Sequence, residues 1–332
     1  MNKSILLVSK AFFLSVLTLF FWTPSYAEES GTETHQTAPA QIGQEGDRQI
    51  EAEEAQRALD EFLRRQKLLF KPGEVQIEFS TSYSHETAEN IRLRQKFGDE
   101  YIEEVVPKFI TRTTDVSLLG RFGLVDDLEF NLSVPFVYLN QQANYAPFEV
   151  SGIPQFIEQD NEGLGDVRAA FRYAVAHEDE NIADMILNLD VKSRTGDEEK
   201  SLGTGHWNVG GGFTLVKTSD PVVLFGSLGY TSTLEREGRD PGDEISYSLG
   251  MGFSLNDRVS FIMSTVGAII REDRIDGENV EGSGRDIHNL QFSVTVQLTK
   301  HLFLEPVLGV GLTEDATDFY LGINIPYQLI TR

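Results

Sequence analysis

The stretch EISYSLGMGFSLNDRVSFIMSTVGAIIR, residues 244–271, alternates apolar and small polar side chains on both sides of a turn at Asn256 and Asp257. Leu249 and Met251 share one parity, and serines occupy the other. This period of two predicts two antiparallel strands with one apolar face. Working outward, the same alternation predicts twelve strands, at residues 74–84, 109–124, 128–138, 165–176, 184–195, 206–217, 221–232, 244–256, 258–271, 288–300, 302–313 and 318–329.

The connections between these strands alternate in length. The short ones lie at residues 125–127, 177–183, 218–220, 256–257 and 300–301. The long ones lie at residues 85–108, 139–164, 196–205, 233–243 and 272–287, and only the last, 314–317, is brief. Outer-membrane barrels combine an even number of strands with short periplasmic turns and longer extracellular loops. We therefore predict an all-β fold, a 12-stranded antiparallel transmembrane β-barrel with both termini in the periplasm.

Aromatic residues recur at both ends of the apolar parity, as membrane interfaces require. Near the short turns they are Phe122, Phe130, Tyr173, Phe213, Phe253, Phe261 and Tyr327. Near the long loops they are Tyr138, Trp207, Tyr230, Tyr247 and Phe319. We predict that these two sets form the aromatic belts of a membrane protein. The alternative is a water-soluble β-protein whose aromatic residues fill a core.

The first residues carry an export signal. Lys3 and Lys10 precede an apolar run at residues 11–22, and Ala27 completes a small-x-small cleavage pattern. We predict a signal peptide at residues 1–27 and localisation in the outer membrane of a Gram-negative bacterium. An uncleaved membrane helix is the alternative, but the apolar run is shorter than the roughly 20 residues that a span needs.

A polar region separates the signal from the strands. Residues 28–46 contain few large apolar side chains and predict a flexible linker. Residues 47–71 show heptad-like spacing that ends at Pro72, and they predict a helical N-terminal periplasmic segment. This helix is either amphipathic and packed in or under the barrel, or a short coiled coil that forms a homo-oligomer. The barrel itself is assigned to residues 74–332.

Composition excludes several classes of function. The chain has no cysteine, which removes disulfides and thiolate chemistry. Its formal net charge is −24, which disfavours nucleic acid as a partner. The six histidines are dispersed, and no metal-ligand spacing appears. We therefore predict no cofactor, no metal site, no catalytic residue and no enzymatic activity.

The parity opposite the apolar one is polar and predicts the lining of the lumen. Arg168 and Arg172 face Asp190 across a hairpin, and strand pairing places Asp190 diagonal to both arginines. This group is either a cationic constriction that selects solutes or an ion-pair ladder that fills a narrow barrel. The residues predicted to set lumen selectivity are Arg121, Glu129, Arg168, Arg172, Asp190, Lys192, Arg194 and Glu305.

Three short motifs carry a family resemblance: GLGDVR at residues 163–168, GTGHWNVG at 203–210 and GDEISY at 242–247. With them, residues 115–329 resemble the outer-membrane family named for the meta-pathway of phenol degradation. The resemblance implies a barrel of this size that passes small organic compounds. In architecture, a helix before a twelve-stranded barrel is also similar to the functional-amyloid secretion channels.

Together these observations predict an outer-membrane channel for small solutes, organic or aromatic compounds among them, by passive diffusion. Two alternatives remain: an amyloid or polypeptide export channel gated by the N-terminal helix, and a structural or adhesive surface protein. The expected partners are outer-membrane lipid and lipopolysaccharide, the small-molecule solute and the barrel assembly machinery.

Overall fold

The chain forms an antiparallel β-barrel in the computed structural model, which describes residues 69–97, 100–145, 155–219, 222–256 and 258–330. In chain order the sixteen strands of these residues are β1 Glu74–Phe97, β2 Glu100–Val125, β3 Leu128–Tyr145, β4 Gln155–Leu164, β5 Arg168–Ala176, β6 Asp184–Lys192, β7 Asn208–Ser219, β8 Val222–Thr233, β9 Arg239–Asp240, β10 Glu244–Asn256, β11 Val259–Ile270, β12 Arg274–Ile275, β13 Glu278–Asn279, β14 Arg285–Gln297, β15 Phe303–Gly311 and β16 Phe319–Ile330.

Twelve of these strands close the barrel. Around its wall the order is β1, β2, β3, β5, β6, β7, β8, β10, β11, β14, β15 and β16, and β16 pairs with β1 from Ile330 at Glu74 to Phe319 at His85. Each of the twelve alternating segments overlaps one of these strands. The predicted 12-stranded antiparallel barrel is therefore confirmed.

The outward face of the barrel is apolar and solvent-exposed. Leu118 and Leu189 are more than 50% exposed, and many other large apolar side chains of the same parity are exposed on the remaining strands. Exposing such area to water costs about 25 cal/mol per Å². A continuous band of this kind belongs in lipid, which explains why the apolar parity is kept all the way around the sheet.

The interior combines polar side chains with aromatic rings that pack against glycines. The ring of Phe225 lies over Gly250 of β10, and the ring of Tyr320 lies over Gly309 of β15. A side chain at either glycine would collide with the ring that covers it. These glycines therefore let large inward-facing residues lie along the wall.

Two predicted loops are largely strand. β1 and β2 remain paired from the barrel to Phe97 and Glu100, through the loop predicted at residues 85–108. β3 and β4 pair within the loop predicted at 139–164. Above the lipid both faces of a hairpin meet water, so the alternation that marks a membrane strand is lost although the hydrogen-bonded ladder continues. The predicted loops at these two places were wrong for that reason.

The helix predicted over residues 47–71 lies outside the described residues, apart from its last three. Residues 69–71 form no helix and lead into β1. The predicted signal peptide and linker also lie outside the described residues. In the part of the chain that the structure describes, no helix is long and apolar enough to cross a membrane.

Candidate functional site

The candidate site is the polar inner wall of the barrel, where charged residues form two groups. A lower group lies near the short turns, and an upper group lies near the long loops. The strands β2, β3, β5 and β6, which are neighbours in the wall, carry most of both groups. The charged residues are therefore concentrated on one side of the lumen.

The lower group is built around a buried carboxylate. Glu129 of β3 is completely buried and accepts two hydrogen bonds from Arg121 of β2, from Nε at 2.9 Å and from Nη2 at 3.0 Å. Arg172 of β5 pairs with Glu129 in the strand register and points the same way. Arg172 also interacts electrostatically with Arg121, Glu129 and Glu78. The lower group is thus an ion pair with two further charges around it, on the four adjacent strands β1, β2, β3 and β5.

The segment before β1 enters this lower group. The backbone N–H of Phe70 donates to Glu129 Oε2 at 3.1 Å, and the Arg121 guanidinium lies over the Phe70 ring at 4.7 Å from its centroid. The backbone of Phe70 and Lys71 crosses Gly123 so closely that a side chain there would collide with it. Phe70 and Lys71 are therefore tied to the inner wall at the end of the barrel that carries the short turns.

The upper group surrounds Arg168 of β5. Its guanidinium interacts electrostatically with four carboxylates, from Asp190, Glu244, Asp166 and Asp115. The β5–β6 register pairs Arg168 with Lys192 and Ala170 with Asp190, so Asp190 lies diagonal to both Arg168 and Arg172. The Asp190 carboxylate covers Gly210 of β7, where a side chain would collide with it. Positive and negative charges alternate on this wall.

Asp166, in the connection between β4 and β5, is the most heavily hydrogen-bonded acid of the upper group. It is 2% exposed and accepts from Lys192 Nζ at 3.1 Å. It also accepts from the backbone N–H of Gly196 at 2.9 Å and of Thr204 at 2.9 Å. The Thr204 hydroxyl contacts both Asp166 and Lys192. One buried carboxylate thus joins two of the motifs that carry the family resemblance.

Two of the predicted lumen residues stand apart. Arg194 does not join the upper group, because β6 ends at Lys192 rather than continuing to residue 195, and Arg194 is exposed. At that point the chain leaves the strand pairing and enters the connection between β6 and β7, whose backbone binds Asp166. Glu305 lies on β15, on the opposite side of the barrel from β6, and accepts from the Thr295 hydroxyl at 3.2 Å.

The aromatic residues of the apolar parity lie on the outward face at the two ends of the strands. Near the short turns, Phe122 pairs with Phe130 and Phe253 pairs with Phe261, with ring centroids 6.2 and 5.5 Å apart. Tyr173, Phe213 and Tyr327 are exposed at the same end. Near the long loops, Tyr138, Trp207, Tyr230 and Phe319 are exposed, and the Tyr247 hydroxyl contacts His288 of β14.

Five residues that contribute to the two groups were not in the predicted selectivity set: Phe70, Glu78, Asp115, Asp166 and Glu244. The parity of β10 places Glu244 on the same face as Ser246, and Asp166 lies within a quoted motif, so both had a sequence signal. Phe70 had none, since its role depends on where the chain passes before β1.

Comparison with known proteins agrees with this architecture. The family described as "Putative MetA-pathway of phenol degradation" matches residues 98–329. The chain belongs to this family. The family match begins within the β1–β2 hairpin and ends in β16, so it spans eleven of the twelve barrel strands.

One solved structure shares the fold of this family member. The crystal structure of the COG4313 outer membrane channel from Pseudomonas putida F1 superposes with a TM-score of 0.57 at 14% sequence identity, covering 78% of this chain and 97% of that one. The Pseudomonas putida toluene transporter TodX is more distant, with a TM-score of 0.37 and 9% identity over 78% of this chain and 89% of that one. Only the first of the two likenesses is strong enough to support the shared fold.

Proposed function

We propose that this chain is an outer-membrane channel that admits small solutes, including aromatic compounds, by passive diffusion. The observation that carries the proposal is a closed twelve-stranded wall with an apolar exterior and a polar interior. A wall of this construction isolates a polar path from lipid, which is the physical requirement for a channel. The similar structure described above is itself an outer membrane channel.

The solute class follows from the family description and from the pairing of charges. The family is named for phenol degradation, which supports a small aromatic solute. On the inner wall Arg121 is neutralised by Glu129, and Lys192 by Asp166. Paired charges give a weak net field, so the lumen favours neutral or weakly polar solutes over ions of one sign.

The same proposal includes the route to the membrane and the partners. Residues 1–27 act as a cleaved signal peptide, the assembly machinery inserts the barrel, and lipid and lipopolysaccharide surround it. Phe70 and Lys71 lie at the mouth that this proposal assigns to the periplasm, where Phe70 is bonded to the inner wall. The contact favours a role for the N-terminal segment in closing the mouth of its own barrel over a role in joining separate barrels.

Planar-bilayer recording tests the proposal. The purified mature protein should give a steady current, and phenol added to one side should produce brief current blockades that glycerol at equal concentration does not. A variant lacking residues 28–70 should give a larger or steadier current. If neither form conducts, the channel function is wrong, and if phenol and glycerol act alike, the aromatic solute class is wrong.

A further inference from the structure

The connection between β6 and β7, residues 193–207, is here called the β6–β7 loop. Its residue Leu202 is 6% exposed and packs close to Gly163 and Gly165. A side chain at Gly165 would also touch Pro135 and Val137, which share the inward parity of β3 with Glu129. The β6–β7 loop therefore packs on the inner side of the wall, at the end that carries the long loops.

The other side of the β6–β7 loop is bound to the connection after β8. Arg236 donates to the carbonyl of Gly205 at 3.0 Å and pairs with Glu198 at 3.0 Å. The His206 ring Nδ1 donates to the carbonyl of Leu234 at 2.9 Å. The loop is thus held on one side by β3 and the β4–β5 connection, and on the other side by the segment after β8. It spans this part of the barrel rim on the inner side.

Asp166 is the central contact of this arrangement. Its two carboxylate oxygens bind the start of the β6–β7 loop through Gly196 and the later part through Thr204. Lys192 supplies the balancing charge. A side chain at Gly203 would lie 2.5 Å from Asp166 Oδ1, so the loop backbone rests directly against the carboxylate. Without this acid, the buried N–H of Gly196 and the half-buried N–H of Thr204 would both lose their acceptor.

We propose that the β6–β7 loop is the constriction of the extracellular mouth, and that Asp166 is the positioning residue that sets its width. The inference rests on the proposed channel function. Asp166 lies two residues from Arg168, and the loop covers this part of the wall. The paired charges around Arg168 therefore line the constriction. The constriction limits the size of solute that enters.

The test compares Asp166→Ala with wild type and with Asp184→Ala. Asp184 is a matched control, because it is also a buried carboxylate that accepts a backbone N–H, that of Glu178 at 2.7 Å, but it holds a short turn at the other end of β6. Single-channel conductance and swelling of proteoliposomes in sugars of increasing size are the measurements. Asp166→Ala should raise both the conductance and the largest sugar admitted, whereas Asp184→Ala should change neither.

A thiol reagent gives a second measurement that does not require conduction. The chain has no cysteine, so Leu202→Cys provides a single labelling site. Because residue 202 is buried, labelling should be slow in the otherwise wild-type protein and many times faster when Asp166→Ala is added. Equal labelling rates would overturn the role of Asp166 even if the barrel conducts.

The outcomes separate the two proposals. If wild type conducts and Asp166→Ala has the same conductance and size limit, the constriction is wrong and the channel function stands. If wild type, Asp166→Ala and Asp184→Ala all fail to conduct although each is folded, the channel function is wrong and the constriction falls with it. A closed wild type with a conducting Asp166→Ala supports both proposals.

Discussion

Arg121 and Glu129 form a bidentate ion pair on the inner wall, with nitrogen–oxygen distances of 2.9 and 3.0 Å, and the Glu129 carboxylate is fully buried. The two residues lie eight positions apart in the sequence, on strands β2 and β3 joined by a short turn at Asp126 and Asp127. The same carboxylate also receives the backbone N–H of Phe70. The pair therefore connects the barrel wall to the segment that precedes it.

Breaking this ion pair should destabilise the barrel strongly. Arg121→Ala leaves the buried carboxylate without its hydrogen-bonded partner and with only the attraction of Arg172, and breaking a buried pair costs about 3–5 kcal/mol. The double variant Arg121→Met/Glu129→Leu removes both charges and should recover most of that loss. Urea unfolding of the protein in lipid vesicles measures the free energy. If Arg121→Ala were as stable as wild type, the ion pair would not stabilise the barrel.

Loosening the Phe70 contact should affect the current and leave the barrel intact. Phe70→Ala removes a ring that stacks on Arg121, a contact worth about 0.5–2 kcal/mol. We expect a noisier or larger current in bilayer recordings, approaching that of the variant without residues 28–70. Lys71→Ala is the matched control, because the Lys71 side chain is exposed and the change keeps the backbone carbonyl that crosses Gly123. Identical traces for the two variants would argue against an anchoring role for Phe70.

A charged side chain on the outward face should lower the free energy of unfolding more than removal of the apolar side chain alone. Leu189 lies between the two aromatic sets and is 52% exposed. Leu189→Arg should lower the free energy of unfolding in vesicles by about 2–4 kcal/mol, since arginine is then placed in hydrocarbon. Leu189→Ala controls for lost apolar contact. Equal effects of the two variants would mean that this face is not in lipid.

The loop acid Asp243 should titrate at low pH. The hydroxyl of Tyr230 donates to Asp243 Oδ2 at 2.6 Å, and this hydrogen bond holds the pKa of the carboxyl below its ordinary value. Its contribution to stability is therefore present above the ordinary pKa of aspartate and is lost as pH falls through the lowered value. Tyr230→Phe should raise the pKa of Asp243, which carbon NMR of labelled carboxyl groups in micelles can measure. A pKa that does not move would contradict the assigned cause.

The barrel could be predicted from sequence because lipid and lumen impose opposite requirements on alternate residues. That pattern located all twelve wall strands, and the parity of Arg168 and Asp190 led to the observed register. The alternating pattern failed to predict strands where the chain no longer lies between lipid and lumen. Beyond Ser84 and Tyr138 the hairpins extend past the apolar band, where lipid no longer imposes an apolar parity, so no alternation marked their strands.

The two main contacts of the candidate site could not be predicted for a different reason. The bonds from Asp166 to the β6–β7 loop join residues 30 and 38 positions apart. The bond from Phe70 to Glu129 joins residues 59 positions apart. No periodic pattern predicts such contacts, because each depends on how an irregular segment runs across the inner face of the folded barrel.

The paired extension of β1 and β2 makes the rim of the barrel uneven. β1 leaves its pairing with β16 at His85 and continues with β2 alone to Phe97, a rise of about 40 Å at 3.3 Å per residue. β3 and β4 add a shorter ladder beside it. The wall is therefore taller over β1, β2 and β3 than on the far side of the barrel, where the connections beside β10 form only the short three-stranded sheet of β9, β12 and β13. In the proposed orientation, phages and antibodies approaching the cell surface would meet this taller flank first, while small molecules would reach the entrance over the lower one.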